Sequence, residues 1–510
     1  MKKIILLSTV FCLFFASLKA QPFNIKWGPE YKKDGGMFSF LKFGGFTNSA
    51  YYVLTQGTRN TKIAVYDFNH NLIGEQDIEY KYGKSDVTVD DVIKTPAGNY
   101  FLLKGIDKKE DKGLIGYALP EKNNLISTNV TKIIEYPYNF KQPFGLFGFT
   151  FNTNFDSDAE GTFMSEDSSK VMITYSQGLQ DAKSVNQKFS FMVMDAKMQK
   201  LFTVNKTLAY TDTKLDIIDY SILNNGDVYA LAKHYANDKD RKTPNFKFMV
   251  FKFSKDGTMK EAQIKLNNAA ALNGSVVAFD GGKIIVAGTY TNITNNKNMR
   301  ANGTYCVSLN ADGTPGVSNT FDFTQEVQDE LFGNSERRKD KGAPAIKLKK
   351  VVMDDVAKTA VFFWEEDYYV VVQTSKSSYV RYYSNEIIAS KFNEDGKQEF
   401  STLIDKEFSF TNTSVYNSFM YAHKNGYHYL IFNDFKSRAE RKEIDADGKI
   451  LTDMVKMDDN GKIVSRQTLF GNKDIEYYAA PRMSVQVSDG SILLQTTKGK
   501  KYQYGTLILP

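Results

Sequence analysis

The stretch His423-Lys424-Asn425-Gly426-Tyr427-His428 holds two of the chain's four histidines within six residues. If Asn425-Gly426 forms a two-residue type I′ turn, Lys424 pairs with Tyr427 and His423 faces His428, with Cβ atoms about 5 Å apart on one face. Two imidazoles so placed could share Zn²⁺ or Cu²⁺, provided the fold supplies a third ligand, and no local residue does. The plainer reading is an incidental polar pair on a hairpin.

Three further constellations carry chemistry. Asp156-Ser157-Asp158-Ala159-Glu160-Gly161 offers oxygen ligands at positions 1, 3 and 5 and glycine at 6, as at the start of a calcium loop. Asp167 falls at position 12, where a longer Glu would chelate with both oxygens, and strands rather than helices flank the run. The alternative is a solvated acidic turn. Trp364-Glu365-Glu366-Asp367-Tyr368-Tyr369 combines carboxylates with aromatic faces, the residue types of glycoside hydrolysis and sugar stacking. On a strand, Glu365 and Asp367 would point to one side and Glu366 to the other. Phe147, Phe149 and Phe151 alternate with polar or small residues, and with Phe140, Phe144 and Phe155 they make either core or an exposed patch. These readings leave Glu365, Glu366 and Asp367 as catalytic candidates. Phe144, Phe147, Trp364 and Tyr368 are the ligand-contact candidates, and His423, His428, Asp156, Asp158 and Glu160 the metal candidates.

Other chemistry is missing from the sequence. It has no phosphate-cradling glycine loop, no Gly-x-Ser-x-Gly elbow and no His-Glu-x-x-His helix. The cofactor is unknown, and none is strongly implied. Lys2 and Lys3, the apolar run Ile4 to Phe15 and Ala20 have the three-part layout of a secretory signal over residues 1–20, which predicts export to the periplasm or beyond. That run is too short to span a bilayer, and Cys12 lacks the context of a lipid attachment site, so neither a membrane span nor a lipid anchor is expected. After cleavage Cys306 is the lone thiol, which excludes an internal disulfide. The remaining 62 basic and 59 acidic residues are too balanced to imply nucleic acid, and the clustered Arg337, Arg338, Lys339 and Lys341 are diluted by Glu336 and Asp340.

The elements that must position these residues are strands. Short runs rich in Val, Ile, Tyr and Phe alternate with Asn, Asp and Gly turns along the chain, and helical periodicity is nearly absent. One series of turns lies near residues 48, 98, 168, 226, 281, 356, 426 and 490. A second, at 71, 123, 197, 256, 312, 395 and 460, interleaves with it without exception. Two hairpins therefore recur about every 63 residues, the pattern of a four-stranded meander repeated radially. Seven units are complete and the eighth has three strands. The orphan strand carrying Phe23, Ile25 and Trp27 at the mature N-terminus would supply its fourth. Insertions are expected near 140–167, 322–350 and 436–450. The second holds a helix at Thr324 to Phe332 capped by Asp322.

The turns Phe253-Ser-Lys-Asp-Gly257, Leu309-Asn-Ala-Asp-Gly313 and Phe392-Asn-Glu-Asp-Gly396 resemble those of secreted bacterial β-propeller repeat proteins. The resemblance implies the fold only. Trp-Asp pairs, per-blade double glycines and Asp boxes ending in Trp, which would mark narrower propeller families, are missing. The expected fold is thus an all-β propeller of about eight four-stranded blades, with seven as the lower count, spanning 21–510 as one domain and closed by the N-terminal strand. The competing fold is two β-sandwiches divided near 323–345. The expected function is non-catalytic binding of a protein or glycan partner through inserted loops, with a glycan hydrolase or lyase using the carboxylates as the rival.

Overall fold

The computed structural model describes residues 25–510 except 33–39, 57–60, 79, 83–84, 108–109, 111, 121–124, 138–160, 176–185, 212, 237–244, 293–300, 311–312, 333–345, 375–376, 436–449, 472–475 and 489. The strands of the described residues fall into eight antiparallel sheets. Blade 1 covers residues 40–78, blade 2 residues 81–137, blade 3 residues 162–211 and blade 4 residues 215–263. Blade 5 covers 269–322, blade 6 covers 346–411, and blade 7 covers 419–471. Blade 8 joins residues 478–508 to the N-terminal strand Ile25–Lys32. Both predicted turn series fall between paired strands: the first links strands one and two of each blade, the second strands three and four.

The arrangement is an eight-bladed β-propeller. First strands of neighbouring blades touch one another, as between blades 1 and 2 and between blades 7 and 8, which sets them at the axis. The core lies between the sheets, each of which is buried on both faces. Middle strands consequently read as continuous apolar runs, such as Tyr427–Phe435, buried from its second residue onward. An outer strand such as Gln398–Ile404 alternates between half-buried and exposed positions over its first five residues. Tyr51, Tyr66, Leu493 and Tyr504 pack the last blade on the first, so the ring is closed.

Closure uses the predicted strand. Ile25 pairs with Leu507, Trp27 with Gly505 and Lys32 with Lys501. The Trp27 ring lies over Gly505, where a Cβ would come within 2.5 Å of it, and meets Phe470 edge-on at 5.5 Å. Phe23 lies outside the described residues.

Three expectations change. The two-sandwich fold is overturned, because Val277, Phe279, Leu331, Ile346 and Trp364 form one cluster across the proposed divide. The helix is present at Gln325–Phe332, but Thr324 is its cap, its hydroxyl accepting from the Val327 N–H at 3.3 Å. Asp322 instead accepts a hydrogen bond from Tyr290. Residues 162–167 are not insertion, since Thr162–Met164 is the first strand of blade 3.

In an up-down meander, the turns joining strands one to two and three to four share one face of the ring. Connections from strand two to three and from blade to blade leave the other. The strands that end at Pro137 and Phe435 and those that begin at Thr162, Ile346 and Ile450 have those ends on that second face. The strand ends that bound the expected insertions therefore share a single face, the insertion face, opposite the turns.

Candidate functional site

Blade 6 is where the predicted carboxylates lie. Its second strand, Thr359–Gln373, and third, Ser378–Asn393, are long enough to run past the ring on the insertion face. Glu365, Glu366 and Asp367 sit where the blade passes into that extension, all buried. A bulge between Glu365 and Asp367 breaks the even alternation expected from the sequence, and the three carboxylates go to separate partners.

Glu365 accepts from the Lys406 ammonium at 2.6 Å and the Ser384 hydroxyl at 2.8 Å, with both side chains of the ion pair fully enclosed. Burial pulls the Lys406 ammonium below its ordinary range, and Glu365 opposes that pull. Glu366 accepts from the Asn385 amide at 2.6 Å. Asp367 binds Lys349 and, at 3.1 Å, Arg482 of blade 8. Burial pushes its carboxyl up, but the Lys349, Lys347 and Arg482 charges outweigh this and hold it below the usual carboxylate range. Next door, Arg466 bridges Asp434 and Asp453 of blade 7, the latter at 2.8 Å. Burial raises the Asp434 carboxyl against the pull of Arg466.

Carboxylates, lysines and arginines from three blades thus gather toward the insertion face, where Glu365, Asp367, Asp434 and Asp453 each pair with a cation. A glycosidase pair needs one carboxyl facing substrate as an acid and another as base or nucleophile. Here Glu365 and Asp367 each hold a cation. Trp364, a ligand-contact candidate, is enclosed in the core with its ring stacked on Phe362 at 5.6 Å, so it reaches no ligand.

Beyond the carboxylates, the extension is aromatic. Tyr368 stacks on Tyr383 at 4.7 Å, and Arg381 lies over the Tyr383 ring. Tyr369, 64% exposed, pairs with Tyr382 at 6.1 Å on the other face, beside exposed Val371. The strand Phe408–Thr411 adds a third member to this projecting sheet. Sequence reasoning places Tyr369 in the same motif but keeps only Tyr368 as a ligand-contact candidate, because the exposure of Tyr369 depends on the hairpin outrunning its blade.

The histidine hairpin forms with the expected register, His423 opposite His428 and Lys424 opposite Tyr427. Asn425 and Gly426 both take positive φ, 52° and 73°, as a type I′ turn requires. The ring centroids are 5.2 Å apart. Burial holds the His428 imidazole down at about 4, so it is neutral at ordinary pH. Asp459, from the neighbouring turn of blade 7, completes a group of three potential ligands that local sequence could not supply. Asp156, Asp158, Glu160, Phe144 and Phe147 lie outside the described residues. Asp167 accepts from the Ser165 hydroxyl and the Ser169 N–H within its own turn.

No family model and no curated protein matches the chain. Solved structures do. A prolyl endopeptidase aligns with 90% of this chain and 53% of its own at 8% identity and TM-score 0.36. An oligogalacturonate lyase in complex with manganese aligns over 94% and 98% at 9% identity and TM-score 0.36. An uncharacterised protein from Listeria monocytogenes aligns over 80% and 88% at 7% identity and TM-score 0.37. The chain spans about half the length of that peptidase.

Proposed function

We propose that this is a non-catalytic, exported propeller that binds a protein or glycan partner on its insertion face. The observation that carries the reading is the projecting sheet of blade 6, which presents Tyr369 and Val371 to solvent on a rigid base. Loops and extensions on a stiff scaffold vary without disturbing the core, and exposed aromatic side chains suit stacking against sugars or partner side chains. The strand ends that bound the three expected insertions lie on that same face. The pairing of Glu365 with Lys406 and of Asp367 with Lys349 and Arg482 favours binding over glycan cleavage. Residues 1–20, with the layout of a secretory signal, support export. No helix among the described residues is long and apolar enough to cross a membrane.

The test uses a glycan array and an envelope-protein overlay probed with wild type and with Tyr369→Ala/Val371→Asp. Binding that weakens about tenfold or more in the double variant, at unchanged melting temperature, supports the reading. Binding indifferent to both substitutions, or turnover of an arrayed glycan, sinks it.

A further inference from the structure

We propose that His423, His428 and Asp459 form a three-ligand site for a divalent transition-metal ion, Zn²⁺ by preference, on the turn face of blade 7. This face is opposite the partner-binding face, and the proposal does not rest on that reading.

Geometry is the first support. Asp459 Oδ1 lies 3.2 Å from His428 Nε2 and 3.8 Å from His423 Nε2. One ligand atom from each residue can be chosen so that all three lie within 4.8 Å of one another. In a tetrahedral zinc site with bonds of 2.0–2.1 Å, neighbouring ligand atoms are about 3.4 Å apart, so two edges already bracket that value. Small rotations of His423 and Asp459, both about half exposed, would close the third.

The second support is a buried nitrogen without a hydrogen bond. His428 is 3% exposed, yet its Nε2 makes no hydrogen bond even with Asp459 so near. A buried polar atom in that condition calls for an explanation, and a bound cation supplies one. The other ring nitrogen is engaged, because Nδ1 meets the Tyr421 hydroxyl at 2.8 Å. With Nδ1–H donating to Tyr421, the Nε2 lone pair is directed at the site, the outer-shell arrangement that orients metal-binding histidines.

Neighbouring structure positions the backbones of the other two ligands and leaves their side chains room to turn. The Gln486 side chain of blade 8 accepts from the His423 N–H at 3.0 Å and donates to its carbonyl at 2.8 Å, which clamps the backbone across the blade interface. Asp459 stands at the tip of the next hairpin, one residue past the Asp458–Tyr427 pair. A Cβ on Gly426 would come within 3.1 Å of its Oδ2, so glycine there leaves the carboxylate room to close in. Two imidazoles and a carboxylate suit Zn²⁺, with a fourth position open to solvent.

Titration calorimetry with ZnCl₂ on tag-free, chelator-treated full-length protein tests this, alongside His423→Ala, Asp459→Asn and the control His234→Ala. Expected are one Zn²⁺ per chain in wild type and control, and affinity lower by about tenfold or more in the other two variants. Both of those substitutions are at exposed positions, so folding is not at stake. Co²⁺ should give the intense visible bands of a tetrahedral site in wild type and lose them in both variants. Absence of binding in wild type, or equal binding in wild type, His423→Ala and Asp459→Asn, overturns the proposal.

Discussion

A single enclosed ion pair shows how much one contact can weigh in this protein. Lys406 and Glu365 are both shut off from solvent, so removing either leaves the other charge buried alone. Lys406→Met or Glu365→Gln should each cost about 3–5 kcal/mol in urea denaturation, whereas Glu365→Leu/Lys406→Met should recover most of that loss. Single variants that unfold with the wild type would contradict the enclosure. His70 makes a different case. Its ring meets the Tyr51 hydroxyl at 3.0 Å and the Lys26 carbonyl at 3.1 Å, at the seam where the ring closes. Burial depresses its pKa, with Lys26 adding to the effect and the bond to the Lys26 carbonyl and Asp67 opposing it. The unfolded chain therefore takes up the proton first, so stability is full above about pH 6.5 and falls as pH drops below it. Melting curves at pH 8 and 5.5 should show that fall in wild type and a smaller one in His70→Gln. The sequence disclosed His423 against His428 because a two-residue turn dictates its own register. It disclosed neither Lys406 nor Asp459, whose partners lie 41 and 31 residues away and meet them only through the sheet.

At the scale of strands and turns, sequence and structure agree most closely, and the reason is local. A hairpin tip needs backbone angles that few residues tolerate, so Asn425-Gly426 and the Asp-Gly turns announce themselves. Gly426→Ala forces a Cβ into the left-handed region at φ 73° and against Asp459, which should cost about 1–2 kcal/mol by thermal denaturation. An unchanged melting temperature would mean that the turn relaxes to another type. Elements without such punctuation were missed or misplaced. Thr162–Met164 is three residues long, too short for alternation to register, and falls inside the span expected as insertion. The helix cap moved from Asp322 to Thr324 because Asp322 is drawn off by Tyr290, a contact between strands that no helix rule contains. The run past the ring in blade 6 was equally hidden, since nothing in Tyr368 to Gln373 says where a blade ends.

For the molecule as a whole, eight sheets in a ring have eight interfaces, one more than an open stack, and the eighth depends on a single strand. Ile25–Lys32 completes blade 8 and also spans the seam, because the Tyr31 ring lies 4.9 Å from Tyr66 of blade 1 and 5.3 Å from Tyr502 of blade 8. Deleting residues 21–31 would therefore expose the strand Lys501–Ile508 as an unpaired edge and remove the bridging ring together. Fully buried side chains of this size contribute about 1.5–3 kcal/mol each, and Trp27 and Ile25 are half-buried against the blade 7 and 8 core. Trp27→Ala, at about half the cost of losing a fully buried Trp, should thus cost about 1.5–2.5 kcal/mol. The deletion should cost a large share of the 5–15 kcal/mol typical of a folded domain. Scanning calorimetry should show a modest drop for the substitution and a steep one for the deletion, with aggregation through the freed edge. A deletion variant that melts with the wild type would mean the ring holds without its latch. The contacts between Tyr51, Leu493 and Tyr504 would then have to carry closure by themselves.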